Sequence, residues 1–352
     1  MFAVKEINAW KWIVQLHLLA LGIFLLILGR SVFVSICFGL LLVIFLVPFT
    51  NKLESMKVNR FWSALVPIFI FLFFIVGISY FVMRELQVFF SNVLNSKNRF
   101  FSELGSIQTW LESQWHIDKL SQQSYLKQSA NSINERVAGA AGNWLLNIFK
   151  SFLLVIFMIF FVFFSLYHRP VLSKFLFSLF DNKFAGRVRK LIQETRHVIS
   201  GYVTGLLIEN TILFTLIVLL LLIFQIKYAV LLAILAAIIN VIPYAGMYSM
   251  IVVAILITLA TGGSVQAVEA GAVFTFAHLI DANIVVPKLV GSKVKMNPFI
   301  TFLALVAGGL IWGVPGMFLF IPLTAIGKVI LDRIRILRSW SLLIGEDKEE
   351  AS

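Results

Sequence analysis

Runs of about twenty apolar residues recur along this chain, and no other feature constrains its fold as much. They occupy 12–29, 31–49, 61–83, 148–167, 203–224, 228–259, 265–286 and 299–331. A helix rising about 1.5 Å per residue needs roughly 20 such residues to cross a hydrocarbon core about 30 Å thick. The runs are continuous or nearly so, whereas the strands of a membrane barrel alternate every second residue. In lipid a helix satisfies its own backbone hydrogen bonds. The pattern predicts an all-α, polytopic integral membrane protein of about eight membrane segments, some of them broken or re-entrant.

Composition excludes the main alternatives. Hydrophobic residues make up 60% of the 352 positions and charged residues 13%, where a soluble domain carries roughly 25% charged residues. Too little polar surface exists to cover a water-facing globule, which argues against a cytosolic enzyme, a secreted disulfide scaffold and a disordered chain. Cys37 is the single cysteine, so no disulfide can form within the chain. The net charge of +12 could suggest nucleic acid, but a groove for it needs stacking aromatics beside the cations. Most of the 35 phenylalanines instead lie inside the apolar runs. No nucleic-acid partner is expected; the basic residues fall between the runs, where anionic lipid headgroups would meet them.

Basic residues in short loops also set orientation. Lys52, Lys57 and Arg60 mark one connection, and Arg169, Lys174, Lys183, Arg187, Arg189, Lys190 and Arg196 mark another. Both are expected on the cytoplasmic side, with both termini cytoplasmic as well. Lys5 and Lys11 before the first run resemble the start of a signal sequence, but no A-x-A cleavage site follows, so the run is expected to be a retained span. Lys288, Lys293 and Lys295 disagree with this orientation, which suggests that part of 236–298 enters and returns without crossing. The organisation expected is three spans in 1–83, a polar helical extracytoplasmic module in 84–147 and a fourth span in 148–167. A basic amphipathic interfacial segment at 168–199, a C-terminal core of broken helices at 200–335 and a cytoplasmic tail at 336–352 complete it.

Ionisable and amide groups at membrane depth are costly and call for a reason. Glu209 and Asn210 lie about two turns into the 203–224 run, and His278, Asp281 and Asn283 lie in the 265–286 run. They could line a polar path or simply bond between helices. His278 and Asp281 share a face at i, i+3. No second His or Cys offers a metal-ligand spacing, so neither a metal nor another cofactor is expected. Helix breakers form a second signal. Asn240-Val241-Ile242-Pro243-Tyr244-Ala245-Gly246 interrupts the 228–259 run, and further interruptions surround Pro287, Gly291 and Pro298, then Gly308 through Pro322. Pro243 removes a backbone donor and Gly246 permits unusual angles. Backbone left unpaired at membrane depth is tolerated inside protein or against a water cavity, and broken helices often frame transport sites. Gly201-x-x-x-Gly205 and Gly309-x-x-x-Gly313 suggest close helix packing. No G-x-S-x-G, H-E-x-x-H or P-loop pattern occurs, so no enzyme is expected.

Taken in order, several segments resemble the AI-2E transporter family, also called the PerM-like permeases. They are Gly201-Tyr202, the Asn240–Gly246 segment, Asp281-Ala282-Asn283-Ile284-Val285-Val286-Pro287, Met296-Asn297-Pro298, Gly308–Gly316 and Ile321-Pro322-Leu323. The resemblance implies a bacterial inner-membrane homo-oligomer, with a pentamer possible. It implies export of a small polar solute such as the signal molecule autoinducer-2, or else exchange of sodium or lithium for protons. A non-transporting scaffold that recruits partners through 84–147 is the remaining reading. The resemblance carries Pro243, Tyr244 and Gly246 over to the helix-breaking motif, Asp281 to the intramembrane acid and Pro287 to the break after it. His278, Ala282 and Asn297 stand where the family often has Gln, Asn and His. The pathway residues expected are Asn240, Pro243, Tyr244, Gly246, Asp281, Asn283, Pro287, Glu209, Asn210 and His278.

Overall fold

The computed structural model describes residues 9–95, 152–180, 185–242, 245–291, 296–334 and 338–345. Pro243, Tyr244 and all of the 84–147 module beyond residue 95 lie outside the described residues. Every extended element among the described residues is helical. The helices are α1 (Ala9–Leu28), α2 (Arg30–Ser55), α3 (Arg60–Asn95), α4 (Phe152–Tyr167), α5 (Arg169–Ser178) and α6 (Ala185–Ile223). They continue with α7 (Ala229–Ile239), α8 (Ala245–Gly262), α9 (Ser264–Ile280), α10 (Pro298–Trp312), α11 (Val314–Arg333) and α12 (Arg338–Ile344). Two π-helical segments, Asp281–Val285 and Pro287–Gly291, prolong α9.

The apolar runs do not become equal spans. Among the described residues five helices are long and apolar enough to cross a membrane, and a sixth if α4 and α5, bent by 73° at His168, count as one. Pro170 at the start of α5 explains the bend, since it cannot donate to the preceding turn. The 228–259 run divides into α7 and α8. At 11 residues, α7 spans about 16 Å, near half of the hydrocarbon thickness. The 299–331 run, expected to be interrupted between Gly308 and Pro322, is a hairpin of α10 and α11 that turns on Gly313 at φ +70°. Conversely, the interfacial segment expected to stop at residue 199 runs without a break into the next span, making α6 a 39-residue helix about 58 Å long. Large apolar side chains face outward on these helices; Phe73 and Leu310 are each 81% exposed. Apolar surface on that scale needs lipid or another apolar partner to cover it; with five or six helices long enough to cross a bilayer, the chain is a multi-pass integral membrane protein.

The chain forms two compact units. One comprises 1–44, 157–199 and 295–352. In it Gly39 of α2 admits the Phe161 ring of α4, and Phe38 stacks on Phe318 at 5.6 Å. The Trp312 indole N–H donates to the Leu26 carbonyl at 3.0 Å. That carbonyl belongs to the last turn of α1, where no intrahelical donor remains. The second unit comprises 45–156 and 200–294. Its core combines Leu213, Ile217 and Leu221 of α6, spaced at i, i+4, i+8, with the small faces of α7, α8 and α9 at Ala233, Ala236, Ala254, Ala270 and Ala277. Alanine at those positions lets the helices approach closely. Gly263, at φ +97°, makes the turn between α8 and α9.

Candidate functional site

In the second unit three stretches of backbone, one interrupted, one widened and one a continuous helix, bring polar side chains together. The first is the end of α7. Asn240 closes that helix, its N–H bonded to the Ala236 carbonyl, and Pro243 three residues later disfavours further helix. Gly246 lies so close to the end of α7 that a Cβ on it would sit 2.2 Å from the Ile239 carbonyl oxygen. Only glycine permits that approach. The helix is thus interrupted between Ile239 and Ala245.

The second stretch follows α9. Val286 N–H donates to the Asp281 carbonyl five residues back, the bond of a π turn. Pro287 lacks an N–H and would press its ring on the carbonyl four residues earlier; the wider turn accommodates both. The break expected at Pro287 is therefore absent: helix continues from Ser264 to Gly291, and Pro287 itself is exposed. The third stretch is α6, where Gly205 sits under the π segment. A Cβ there would come within 2.6 Å of the Leu289 carbonyl oxygen.

These contacts set Glu209, Asn240 and Asp281 beside one another. Glu209 and Asp281 are each 4% exposed, and they are the two buried carboxylic acids among the described residues. The Asn240 amide donates to Glu209 Oε1 at 2.9 Å, and Asp281 lies close enough for the two carboxylates to feel each other electrostatically. One oxygen on each acid, Glu209 Oε2 and Asp281 Oδ1, is buried without a hydrogen-bond partner. Buried polar atoms are rarely left so. Tyr202, 2% exposed, also interacts with Glu209. Sequence reading took it as a family hallmark and missed it as a site residue, although its i, i+7 spacing to Glu209 puts both on one face of α6.

The remaining expected residues separate. Asn210 donates to the Leu206 carbonyl at 3.1 Å, and its own carbonyl oxygen is buried and unpartnered. The His278 ring lies edge-on to Tyr248 of α8 at 4.9 Å, with Nδ1 buried and unpartnered. Asn283 is exposed and donates to the Leu279 carbonyl of its own helix at 2.8 Å. Two residues beyond Asp281, it falls on the other side of the helix. Among the described residues no group of three or more His, Cys, Asp or Glu side chains could hold a metal.

A helical, multi-pass membrane protein with a buried acid–amide cluster beside interrupted helices belongs to the class of membrane transporters. The family comparison is narrower: the AI-2E family transporter model matches residues 16–336, and the chain belongs to that family. It is 25% identical to YrrI of Bacillus subtilis over 315 residues, 86% of each chain. It is 26% identical to YhhT of Escherichia coli K12 over 113 residues, 32% of each chain. A third relative, from Borreliella burgdorferi, is 34% identical over 71 residues, 20% of each chain. All three carry names that class them as candidate transport proteins.

Proposed function

We propose that this transporter moves a small polar solute outward across a bacterial inner membrane and couples that movement to a proton or monovalent cation at Glu209 and Asp281. The observation that carries the reading is the pair of buried carboxylates with one unpartnered oxygen each. Two negative charges held together away from water are expensive, and a single neutral amide offsets little of that cost. A proton or a small cation shared between the two oxygens removes it. Interrupted helix such as that beside Asn240 is tolerated at membrane depth inside protein or against a water cavity, which suits passage of a polar solute. By family resemblance the solute is a signal molecule of the autoinducer-2 type. Both termini are taken as cytoplasmic because Lys52, Lys57, Arg60 and the 168–199 cations favour that side.

The same oxygens support a second reading, exchange of sodium or lithium for protons with no separate solute. A liposome assay with an imposed pH gradient separates the two. Solute flux that follows the gradient and fails in Glu209→Gln and Asp281→Asn supports coupled export. Cation flux alone supports exchange. Solute flux that survives both substitutions removes the carboxylates from the mechanism.

A further inference from the structure

A cavity of about 460 Å³ lies at the hairpin of α2 and α3, separate from the carboxylate cluster. The second half of α2 and the first half of α3 form its walls, and Leu207 of α6 adds a third side. Leu46 and Pro67 are its buried wall, whereas Phe49, Ile70 and Phe74 are more than half exposed, so it opens outward. Every lining side chain is apolar except one, Lys52.

Its dimensions match one leaflet of a bilayer. Along α2 the lining runs from Phe45 to Met56, about 16 Å of helix, and half of a hydrocarbon core is about 15 Å. Lys52 sits in the last turn of α2, at the end of the cavity nearest the connecting turn. Lys57 and Arg60 lie in and beside that turn, against the single acid Glu54. Apolar length of one acyl chain thus ends at a cluster of cations, the complement of a lipid with a negative headgroup. A long lysine side chain can lie along the apolar wall and present its ammonium at headgroup level.

We propose that this cavity binds an anionic phospholipid, with one acyl chain between α2 and α3 and the phosphate at Lys52. The test uses the full chain in phosphatidylcholine nanodiscs with a phosphatidylglycerol that carries a photoactivatable diazirine in its acyl chain. Cross-links are expected to concentrate in 45–56 and 66–74. Unlabelled phosphatidylglycerol should displace them better than phosphatidylcholine does. Lys52→Gln should weaken that preference about fivefold, the effect of losing one cation at an anionic surface, while acyl cross-linking persists. Val66→Trp should deplete the cross-links by filling the cavity. Labelling spread evenly over the lipid-facing side of α3, Phe73 and Val76 included, would overturn the proposal in favour of bulk lipid. Cross-links between two copies of the chain through 45–74 in place of lipid would overturn it in favour of a subunit contact.

Discussion

Glycine brings backbones into near contact in both the α10–α11 hairpin and the region around α6, α7 and the π segment, yet only the second encloses charge. In the hairpin, a Cβ on Gly308 would lie 2.2 Å from the Gly316 carbonyl oxygen, and the reverse distance is 2.0 Å. The side chains gathered there are apolar, with Trp312 edge-on to Phe320 at 5.2 Å. In the other region Gly205 and Gly246 make equally close approaches, to Leu289 and Ile239, and Glu209 and Asp281 are sealed beside them. Close glycine packing is thus a common joint. The buried acids distinguish a site from a joint.

The strongest attempt to break this contrast is the double substitution Glu209→Gln, Asp281→Asn. Flux per folded molecule should fall by at least about tenfold, the equivalent of 1.4 kcal/mol, with an unchanged elution profile in detergent. Gly308→Leu should do the opposite: it should cost about 1–3 kcal/mol by overpacking, read as a lower thermal midpoint, while the surviving folded protein keeps its flux. Asn240→Leu sharpens the comparison, because it strips the amide donor from Glu209. A destabilisation of about 1–3 kcal/mol together with lost flux is expected there. Gly313→Ala should cost about 1 kcal/mol through its positive φ alone, without touching transport. The smallest effect belongs to Asn283→Ala. An exposed amide bonded within its own helix should leave both stability and flux within about 0.5 kcal/mol of the parent.

Much of the fold was legible in the sequence because lipid imposes one demand, uninterrupted helix, and the apolar runs report it directly. The α10–α11 hairpin was not legible as such. The breakers from Gly308 to Pro322 marked an interruption in 299–331, but a turn made by one glycine at positive φ leaves the run's apolar character intact, so the reversal of direction did not show. The same ambiguity misassigned the glycine pair. Gly309 and Gly313 have the right spacing for a packing motif, but the contact is made by Gly308 and Gly316 across the turn. In the site, Glu209 and Asp281 announced themselves by the cost of burying acids in lipid, and Asn240 by its neighbouring breaker. Their mutual contact spans three helices, and no local pattern encodes it. Pro287 was misplaced because a proline after a π turn looks, in sequence, like one after a helix end, and Asn283 because its i, i+2 spacing from Asp281 puts it on the other side of the helix.

The widened turn after Asp281 has a consequence for anyone altering this chain. It holds one residue more than an ordinary turn, so it advances the phase of all that follows within the span by roughly 100°. A projection drawn at a constant angle is correct up to Asp281 and misassigns the residues beyond it. Removing one residue from 282–286 would let the turn rewind, and would swing Leu289 off Gly205 while leaving composition almost untouched. Insertions and deletions in this stretch therefore act as rotations, a kind of change that substitution scanning does not sample.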